Sequence, residues 1–241
     1  MGTPLAAGRR RTYTGVCMRS PYLRSWGPPT EVGSNSLRAF GAGWGGVVTK
    51  TIGLHPVVNV DGPKTKFLRS MPDSPQMSMR KRPGTSLHSS WNWELISDKP
   101  LDWWVPRIGR IKQAHPTRIL VASIMAGSGS DEELRHWQTL ATACQDQGAD
   151  ALELNLSCPH MDRKDMGSNI GKDTALIPVV TGVANESARV PEGAKTPPTY
   201  PEVVTTARRA HHVCTVPHAT AATYAYPHRT LPARQHWRQQ R

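Results

Sequence analysis

The sequence predicts an α/β fold in which helices cover a parallel β-sheet, either open or closed into a barrel. The prediction rests on alternating segments in the middle of the chain. RILVASIM (118–125) is an apolar run of strand length, and DALELNLSCPH (150–160) alternates leucines with polar side chains. Between these strands, DEELRHWQTLATACQDQG (131–148) repeats its apolar residues at helical spacing.

The first elements of the pattern lie before residue 60. SNSLRAFGAGWGG (34–46) predicts a short helix and a turn, and GGVVTKT (45–51) predicts a buried strand that ends near Lys50 and Thr51. Residues 61–90 are rich in Pro, Lys and Arg, which predicts a loop excursion.

The helix after RILVASIM has signals at both ends. Ser130 and Glu133 fit a capping box at its start, and Gly148 follows its end. After the strand in 150–160, ESARVPEGAKT predicts a further strand that ends at Lys195.

The alternation in 150–160 predicts a strand with two different faces. In a barrel, one face of each strand meets helices, and polar side chains near its C-terminal end reach the active site on the other. We therefore expect the leucines to point outward, Glu153 and Asn155 inward, and Cys158 and His160 to lie on the loop above. The alternative is an edge strand with one solvated face.

The composition indicates which kinds of binding partner and which cell compartment to expect for the protein. The 241 residues include 30 Lys and Arg against 18 Asp and Glu, and the net charge of +12 fits nucleic acid, an anionic cofactor or acidic lipid. No apolar run is long enough to span a bilayer, and the arginines near the N-terminus follow a short apolar patch, the reverse of a secretory signal. Four widely spaced cysteines fit reduced thiols. We expect a cytoplasmic protein.

Five short segments of the sequence together resemble a known family. RAFGAGWGGVVTKT, WNWELIS, ILVASIM, GADALELNLSCPH and MGSNIGKD occur in this order, and they resemble the flavin domain of dihydropyrimidine dehydrogenases, which is similar to the dihydroorotate dehydrogenases. The resemblance implies a TIM (β/α)8 barrel that holds FMN at the C-terminal ends of its strands. About five βα units are expected over residues 15–205, after a flexible N-terminus of residues 1–14.

The resemblance also implies the chemistry. It implies an oxidoreductase acting on CH–CH bonds, with hydride transfer between the flavin N5 and the 5,6 bond of a pyrimidine such as uracil, thymine or dihydroorotate. Electrons in the family pass through a separate NAD(P)-binding, FAD-carrying domain or subunit with iron–sulfur clusters. A homo-oligomer is a further expectation.

Four residues match the family's flavin contacts. Lys50 and Thr51 match a pair at a strand end that touches the flavin, and a cation there stabilises negative charge on the reduced ring. Asn155 matches an inward amide that contacts both the flavin and the pyrimidine, and Lys195 matches a lysine under the flavin.

Other matches concern loops. Gly27 and Pro28, in GPPT, look like the loop after the first strand that lies against the flavin. Asn92, just before ELIS, is expected to have a packing role or to contact the substrate from its loop. In MGSNIGKD, Ile170 stands where pyrimidine-reducing members place the cysteine that protonates C5. Ser168 is therefore the candidate proton donor, as serine is in some dihydroorotate dehydrogenases.

The C-terminal part departs from the family. The family continues after the lysine with further strands and two glycine-containing loops that bind the FMN phosphate. Residues 206–241 instead lack acidic residues and hold half of the ten histidines, which predicts a disordered, non-homologous Arg/His-rich tail. An inactive truncated or frameshifted copy that does not bind FMN is the resulting alternative.

Two further alternatives follow from single features. Soft ligands offer a metal site, but their spacing fits no standard zinc pattern, so we expect no metal; the candidates are Cys158, His160, His211, His212 and Cys214. The basic tail and MRKRPG indicate a nucleic-acid-binding protein, with unspecific binding to polyanions.

Overall fold

The computed structural model describes most of the chain between residues 33 and 197 and short pieces on either side of it. The described residues are 11–13, 16–18, 23–24, 33–59, 65–71, 74–78, 84–92, 94–158, 163–197, 205, 208–210 and 216–219.

Strands and helices alternate through the second half of this part. In chain order the elements are β1 (Arg11–Tyr13), β2 (Val16–Met18), β3 (Leu23–Arg24), α1 (Gly33–Gly41), β4 (Gly46–Val48), β5 (Thr65–Met71), β6 (Ser74–Ser78), β7 (Ser86–Asn92), α2 (Leu101–Ala114), β8 (Ile119–Ile124), α3 (Asp131–Asp146), β9 (Ala151–Asn155), α4 (Ser168–Lys172), α5 (Leu176–Asn185), β10 (Glu192–Thr196) and β11 (Val216–Ala219).

A six-stranded parallel sheet organises these elements. Its strand order is β11-β10-β9-β8-β4-β3, and every neighbouring pair is parallel. Helices α2, α3 and α5 each lie between two of its strands in the chain, as crossovers between parallel strands require. The predicted α/β half-barrel, a part of the TIM-barrel fold, is therefore confirmed.

The two faces of the sheet bury different side chains. The face toward the helices belongs to the main hydrophobic core, and its members include Val47, Leu120, Ala122, Ile124, Leu152, Leu154 and Ala194. The opposite face has a small separate cluster formed by Leu23, Val48, Ile119, Val121 and Ala151. The alternation in β9 thus has the predicted sense, with its leucines toward the helices.

Helix α3 shows how local signals position an element. The Ser130 hydroxyl accepts a hydrogen bond from the Glu133 backbone N–H at 3.2 Å, and Gly148 after the helix has φ +92°. Trp137, Leu140 and Cys144 are fully buried against the sheet. This matches the prediction, except that the Glu133 side chain binds Arg163 instead of the backbone at the start of the helix.

The segment predicted as a loop excursion contains an antiparallel sheet. Strands β5, β6 and β7 pair in the order β6-β5-β7, with bulges on β5 near residues 68–71. Its composition predicts a loop because Pro and Lys are poor strand formers. In the structure, pairing between neighbouring segments supplies the backbone hydrogen bonds that this composition does not favour locally.

Helix α2 and strand β11 are among the elements without a predicted counterpart. Helix α2 buries an apolar stripe of Leu101, Trp104, Ile108 and Ile111, but Pro106 and Gly109 within it obscure the helical pattern. Strand β11 lies in the segment predicted as a tail, and this short part pairs with β10. Four residues that include a proline are too few for a periodic signal.

Candidate active site

A buried polar layer occupies the C-terminal ends of three strands on the face away from the helices. Asn155 ends β9, Lys195 lies beside it in register on β10, and Lys50 and Thr51 follow β4. Their exposed fractions are 0% for Lys50, Thr51 and Asn155 and 3% for Lys195. The structure therefore brings these four sequence-predicted residues to the same end of the sheet, and register or hydrogen bonds place Thr51, Asn155 and Lys195 together on one face.

A chain of hydrogen bonds connects the layer across the strands. Asn155 Nδ2 donates to Thr51 Oγ1 at 2.8 Å, and the hydroxyls of Thr51 and Ser123 lie 2.9 Å apart. Ser123 Oγ donates to Glu153 Oε1 at 2.7 Å, and Lys195 Nζ donates to the same oxygen. Five side chains that are far apart in the sequence thus form one network.

Along this network, each side chain donates its hydrogen bond to the next one in the direction of Glu153. An ionised carboxylate only accepts hydrogen bonds, so Ser123 gives its single hydroxyl proton to Glu153. The hydroxyl of Thr51 must then donate to Ser123, which leaves the Thr51 oxygen to accept from Asn155. The orientation of the Asn155 amide follows from the position of the Glu153 charge.

A second ion pair lies in the same layer. Lys50 Nζ is 2.5 Å from Glu94 Oε1, and both side chains are 0% exposed. Glu94 comes from the WNWELIS block and precedes helix α2. Removing two charges from water is costly, and a short, direct contact offsets that cost only while both partners are present.

The charge of Lys195 depends on its neighbours. Burial lowers the pKa of Lys195, because desolvation disfavours the ammonium form. The charge and hydrogen bond of Glu153 act in the opposite direction, with a smaller contribution from Cys158. The lysine therefore relies on the adjacent carboxylate to stay protonated.

The loop after β9 is held by Asn155. Its Oδ1 accepts hydrogen bonds from the Ser157 backbone N–H at 3.1 Å and from the Ser157 hydroxyl at 2.9 Å. Since Nδ2 binds Thr51, the amide connects this loop to the end of β4. Cys158, on the same loop, is 2% exposed and buried.

The MGSNIGKD segment packs directly on that loop. The Ser168 backbone N–H donates to the Cys158 carbonyl at 2.9 Å. Gly167 has φ +57°, and a Cβ there would lie 2.3 Å from the Cys158 carbonyl oxygen. A Cβ on Gly171 would lie 2.0 Å from the Leu156 carbonyl oxygen. The two glycines are therefore what allows α4 to approach the strand end so closely.

Ser168, the predicted proton donor, begins this short helix with a 6% exposed fraction. The hydrogen bond that connects it to the loop comes from its backbone. Ile170 is fully buried in the main core. Its side chain therefore has a packing role at the position where the family cysteine is expected.

The structure does not describe the side chains of the remaining sequence-predicted residues. Asn92 ends β7, where its backbone pairs with Thr65. Gly27 and Pro28 lie outside the described residues, as do His160, His211, His212 and Cys214. Within the described part of the chain, no group of three or more side chains could hold a metal ion.

Glu94 and Ser123 are members of the layer that the sequence analysis did not predict. For Glu153 it predicted only that the side chain points inward. Each had a faint signal. Ser123 is the polar residue within the apolar run ILVASIM, and Glu94 stands two positions after Asn92 in WNWELIS. A single polar side chain in a buried strand is a reason to look for a hydrogen-bonded partner.

A parallel half-barrel with its polar groups at the C-terminal ends of the strands has the TIM-barrel form of functional site. Over 200 residues the chain is 36% identical to dihydropyrimidine dehydrogenase (NADP(+)), chloroplastic, of Arabidopsis thaliana, and the match covers 82% of this chain and 44% of the relative. It is 31% identical over 187 residues to the NAD-dependent dihydropyrimidine dehydrogenase subunit PreA of Escherichia coli K12, covering 78% of this chain and 41% of the relative.

A more distant relative is the catalytic subunit of dihydroorotate dehydrogenase B (NAD(+)) from Thermoplasma volcanium, 25% identical over 199 residues, with 83% of this chain and 57% of the relative covered. Over the matched part, the chain is homologous to dihydropyrimidine dehydrogenases and to the catalytic subunit of dihydroorotate dehydrogenase B. It spans less than half the length of the two dihydropyrimidine dehydrogenase relatives. No protein-family model matches the chain.

Among the helices that the structure describes, none is both long and apolar enough to cross a bilayer.

Proposed function

We propose that the polar layer binds the ring of a flavin, FMN, and that the chain contributes to hydride transfer at the 5,6 bond of a pyrimidine. The observation that carries the proposal is the network that joins Thr51, Asn155 and Lys195 at the C-terminal ends of neighbouring strands, with the buried Lys50–Glu94 pair at the same end of the sheet. The names of the relatives, which are dihydropyrimidine and dihydroorotate dehydrogenases, support the same chemistry.

The chemistry of these donors fits the flavin ring. Two ammonium groups and an amide are donors that match a ring edge rich in carbonyl and nitrogen acceptors. Cations also favour the negative charge that the ring gains on reduction. This match is to the ring of the flavin and does not include the phosphate group of FMN.

Each residue has a proposed role. Lys50 and Lys195 would hold the ring and offset its charge, with Thr51 as a neighbouring hydroxyl. Asn155 would orient both ring and pyrimidine through its fixed amide, and Ser168 would hold the proton destined for C5. Bound FMN would supply hydride transfer at its N5. Gly27, Pro28 and Asn92 remain proposed flavin and substrate contacts.

The partners are proposals as well. An electron-transfer subunit with NAD(P), FAD and iron–sulfur clusters would supply or remove electrons. The name of the Escherichia coli relative, a subunit of an NAD-dependent enzyme, supports a separate partner. We further propose that residues 15–205 form the flavin-binding part and that residues 206–241 lie outside it.

The visible absorption spectrum of the purified chain tests the proposal. We expect a yellow protein that releases FMN on denaturation, and the Lys195→Met variant should retain less flavin because the ring loses a cation. Assays with uracil, thymine and dihydroorotate, with an artificial electron acceptor or donor, then identify the pyrimidine. A well-folded chain that stays colourless after incubation with FMN would contradict the proposal.

The second candidate is an inactive copy. The burial of Ile170, which has no proton to donate, at the position of the family cysteine favours it. A chain that binds FMN but reduces no pyrimidine would support loss of catalysis alone. A chain without flavin that binds DNA in a salt-dependent way would instead support the nucleic-acid alternative.

A further inference from the structure

Glu153 is a buried carboxylate at the centre of the polar layer. Its side chain is 3% exposed, and that of Lys195 is 4% exposed. It accepts hydrogen bonds from Lys195 Nζ and from the Ser123 hydroxyl through the same oxygen. In the described contacts it binds other side chains of the layer, while the residues matched to the flavin surround it.

The carboxylate of Glu153 favours the charged form of Lys195 and fixes the direction of its ammonium group. A buried ammonium group without a counter-ion tends to lose its proton, because its charged form has lost the stabilisation of water. An adjacent carboxylate reverses that tendency, and a direct hydrogen bond also fixes the direction of the ammonium group. The titratable groups that act on Lys195 in the described part of the chain are Glu153 and Cys158.

We propose that Glu153 is a positioning residue that keeps Lys195 charged and directed at the flavin ring, and that it acts on the ring only through this lysine. The inference rests on the proposed function, since it concerns the binding of FMN. It assigns to Glu153 a role distinct from those of Lys50 and Asn155, which would contact the ring themselves.

Because Lys50 is paired with Glu94, a change at Glu153 should act on Lys195 and not on Lys50. Lys50 has its own carboxylate at 2.5 Å, so a change at Glu153 leaves that cation paired. Ser123 also keeps its place, because a glutamine at position 153 still accepts a hydrogen bond through its amide oxygen. Glu153→Gln therefore removes one charge with little change in shape.

The test compares the affinities of the full chain for oxidised and reduced FMN over a range of pH. In Glu153→Gln, the pKa of Lys195 should fall further, because burial then acts without the opposing charge of Glu153. In the pH range where only the wild-type lysine stays charged, the affinity for reduced FMN relative to oxidised FMN should fall by about tenfold or more, since a unit charge is lost near the ring. At lower pH the lysine regains its proton, so the ratio should return toward that of the wild type measured at the same pH.

Asp150→Asn is the matched control. Asp150 directly precedes β9, and its carboxylate binds Lys112 Nζ at 2.7 Å and the Leu120 backbone N–H at 2.7 Å. The control thus makes the same chemical change in another lysine–carboxylate pair, at the opposite end of the strand. It should leave the affinity ratio at the wild-type value at every pH.

The outcomes separate the two proposals. If the wild type binds no FMN, the proposed function fails and this role of Glu153 fails with it. If the wild type binds FMN but Glu153→Gln has the wild-type ratio at every pH, the role of Glu153 alone is wrong. A ratio that falls equally at all pH values would also overturn it, because that result indicates altered shape and not a lost proton. Combining Glu153→Gln with Lys195→Met adds a check in the pH range where Glu153→Gln lowers the ratio, since the second change should have little further effect there.

Discussion

At the scale of single residues, the layer depends on paired charges. Lys50 and Glu94 are fully buried, and each is the other's close ionic partner. The types and positions of Lys50, Asn155 and Lys195 were predictable because each ends a recognisable strand. Glu94 and Ser123 were not, because the partner of a buried polar group comes from a different segment and leaves no local pattern.

Replacing Lys50 by methionine should therefore destabilise the fold strongly. The change leaves the Glu94 carboxylate in the interior without this cation, and the expected loss of unfolding free energy is about 3–5 kcal/mol. Urea unfolding of the purified chain measures it.

Lys99→Met is the control for that measurement. Lys99 and Asp98 also form an ion pair, but their side chains are 41% and 32% exposed. The expected change is below about 1 kcal/mol. Equal effects of the two substitutions would show that burial of the Lys50 pair has no energetic consequence.

At the scale of elements, the approach of α4 to the end of β9 determines the shape of the site. The glycines of MGSNIGKD were recognisable as part of a motif, but only the structure shows why glycine is needed at these positions. Backbone oxygens of Leu156 and Cys158 fill the space where side chains at these positions would begin. A close contact between two backbones is not encoded in the periodicity of either segment.

Gly171→Ala should consequently disturb the site as well as the fold. Its Cβ would lie 2.0 Å from the Leu156 carbonyl oxygen, so α4 must move away from the strand, at an expected loss of about 2 kcal/mol or more. Gly182→Ala, within α5, meets no atom within 4 Å and should stabilise by about 0.5–1 kcal/mol. Thermal or urea unfolding that gives both variants the same sign would contradict this account.

A second contact between elements predicts a dependence on pH. Arg163 binds Asp165 and Glu133, which connects the start of α3 to the segment before α4. The hydrogen bond from Arg163 lowers the pKa of Asp165, against the effect of burial. Burial acts to raise the pKa of Glu133, but Arg163 and His136 together lower it.

Both carboxylates therefore favour the folded state when ionised. Their contribution is present above the pKa of the unfolded chain, about 4, and is lost as pH falls through the lower folded values. Arg163→Met should flatten the decrease in melting temperature between about pH 5 and pH 2. Arg107→Met, which removes an arginine that stacks on Trp103, should keep the wild-type slope. Parallel slopes for wild type and Arg163→Met would refute the assignment.

At the scale of the whole molecule, the described part consists of a parallel sheet with helices, a three-stranded antiparallel sheet and the antiparallel pair β1–β2. The parallel sheet was predictable, because buried strands alternate with a well-capped helix. The antiparallel sheet was not, because its strands are polar and pair with one another across turns. The pairing of β11 depends on the backbone of β10 and has no signal of its own.

This organisation predicts uneven protection of backbone amides. Strands β8 and β9 have a neighbour on each side and are fully buried, whereas β3 lies at an edge and β5 carries half-exposed side chains such as Phe67. Hydrogen exchange should therefore be slowest in β8 and β9, by about a hundredfold or more over β5. Comparable rates in β5 and β9 would argue against a core centred on the parallel sheet.

The two faces of β9 also restrict which changes in length the chain can tolerate. Inserting or deleting one residue within Ala151–Asn155 would exchange its faces, so that leucines entered the polar layer and Glu153 and Asn155 lay beneath the helices. An insertion of the same size between β5 and β6 would alter only a connection. Length variation in homologous chains should therefore be more common between β5 and β6 than in the strand that carries both the core and the site.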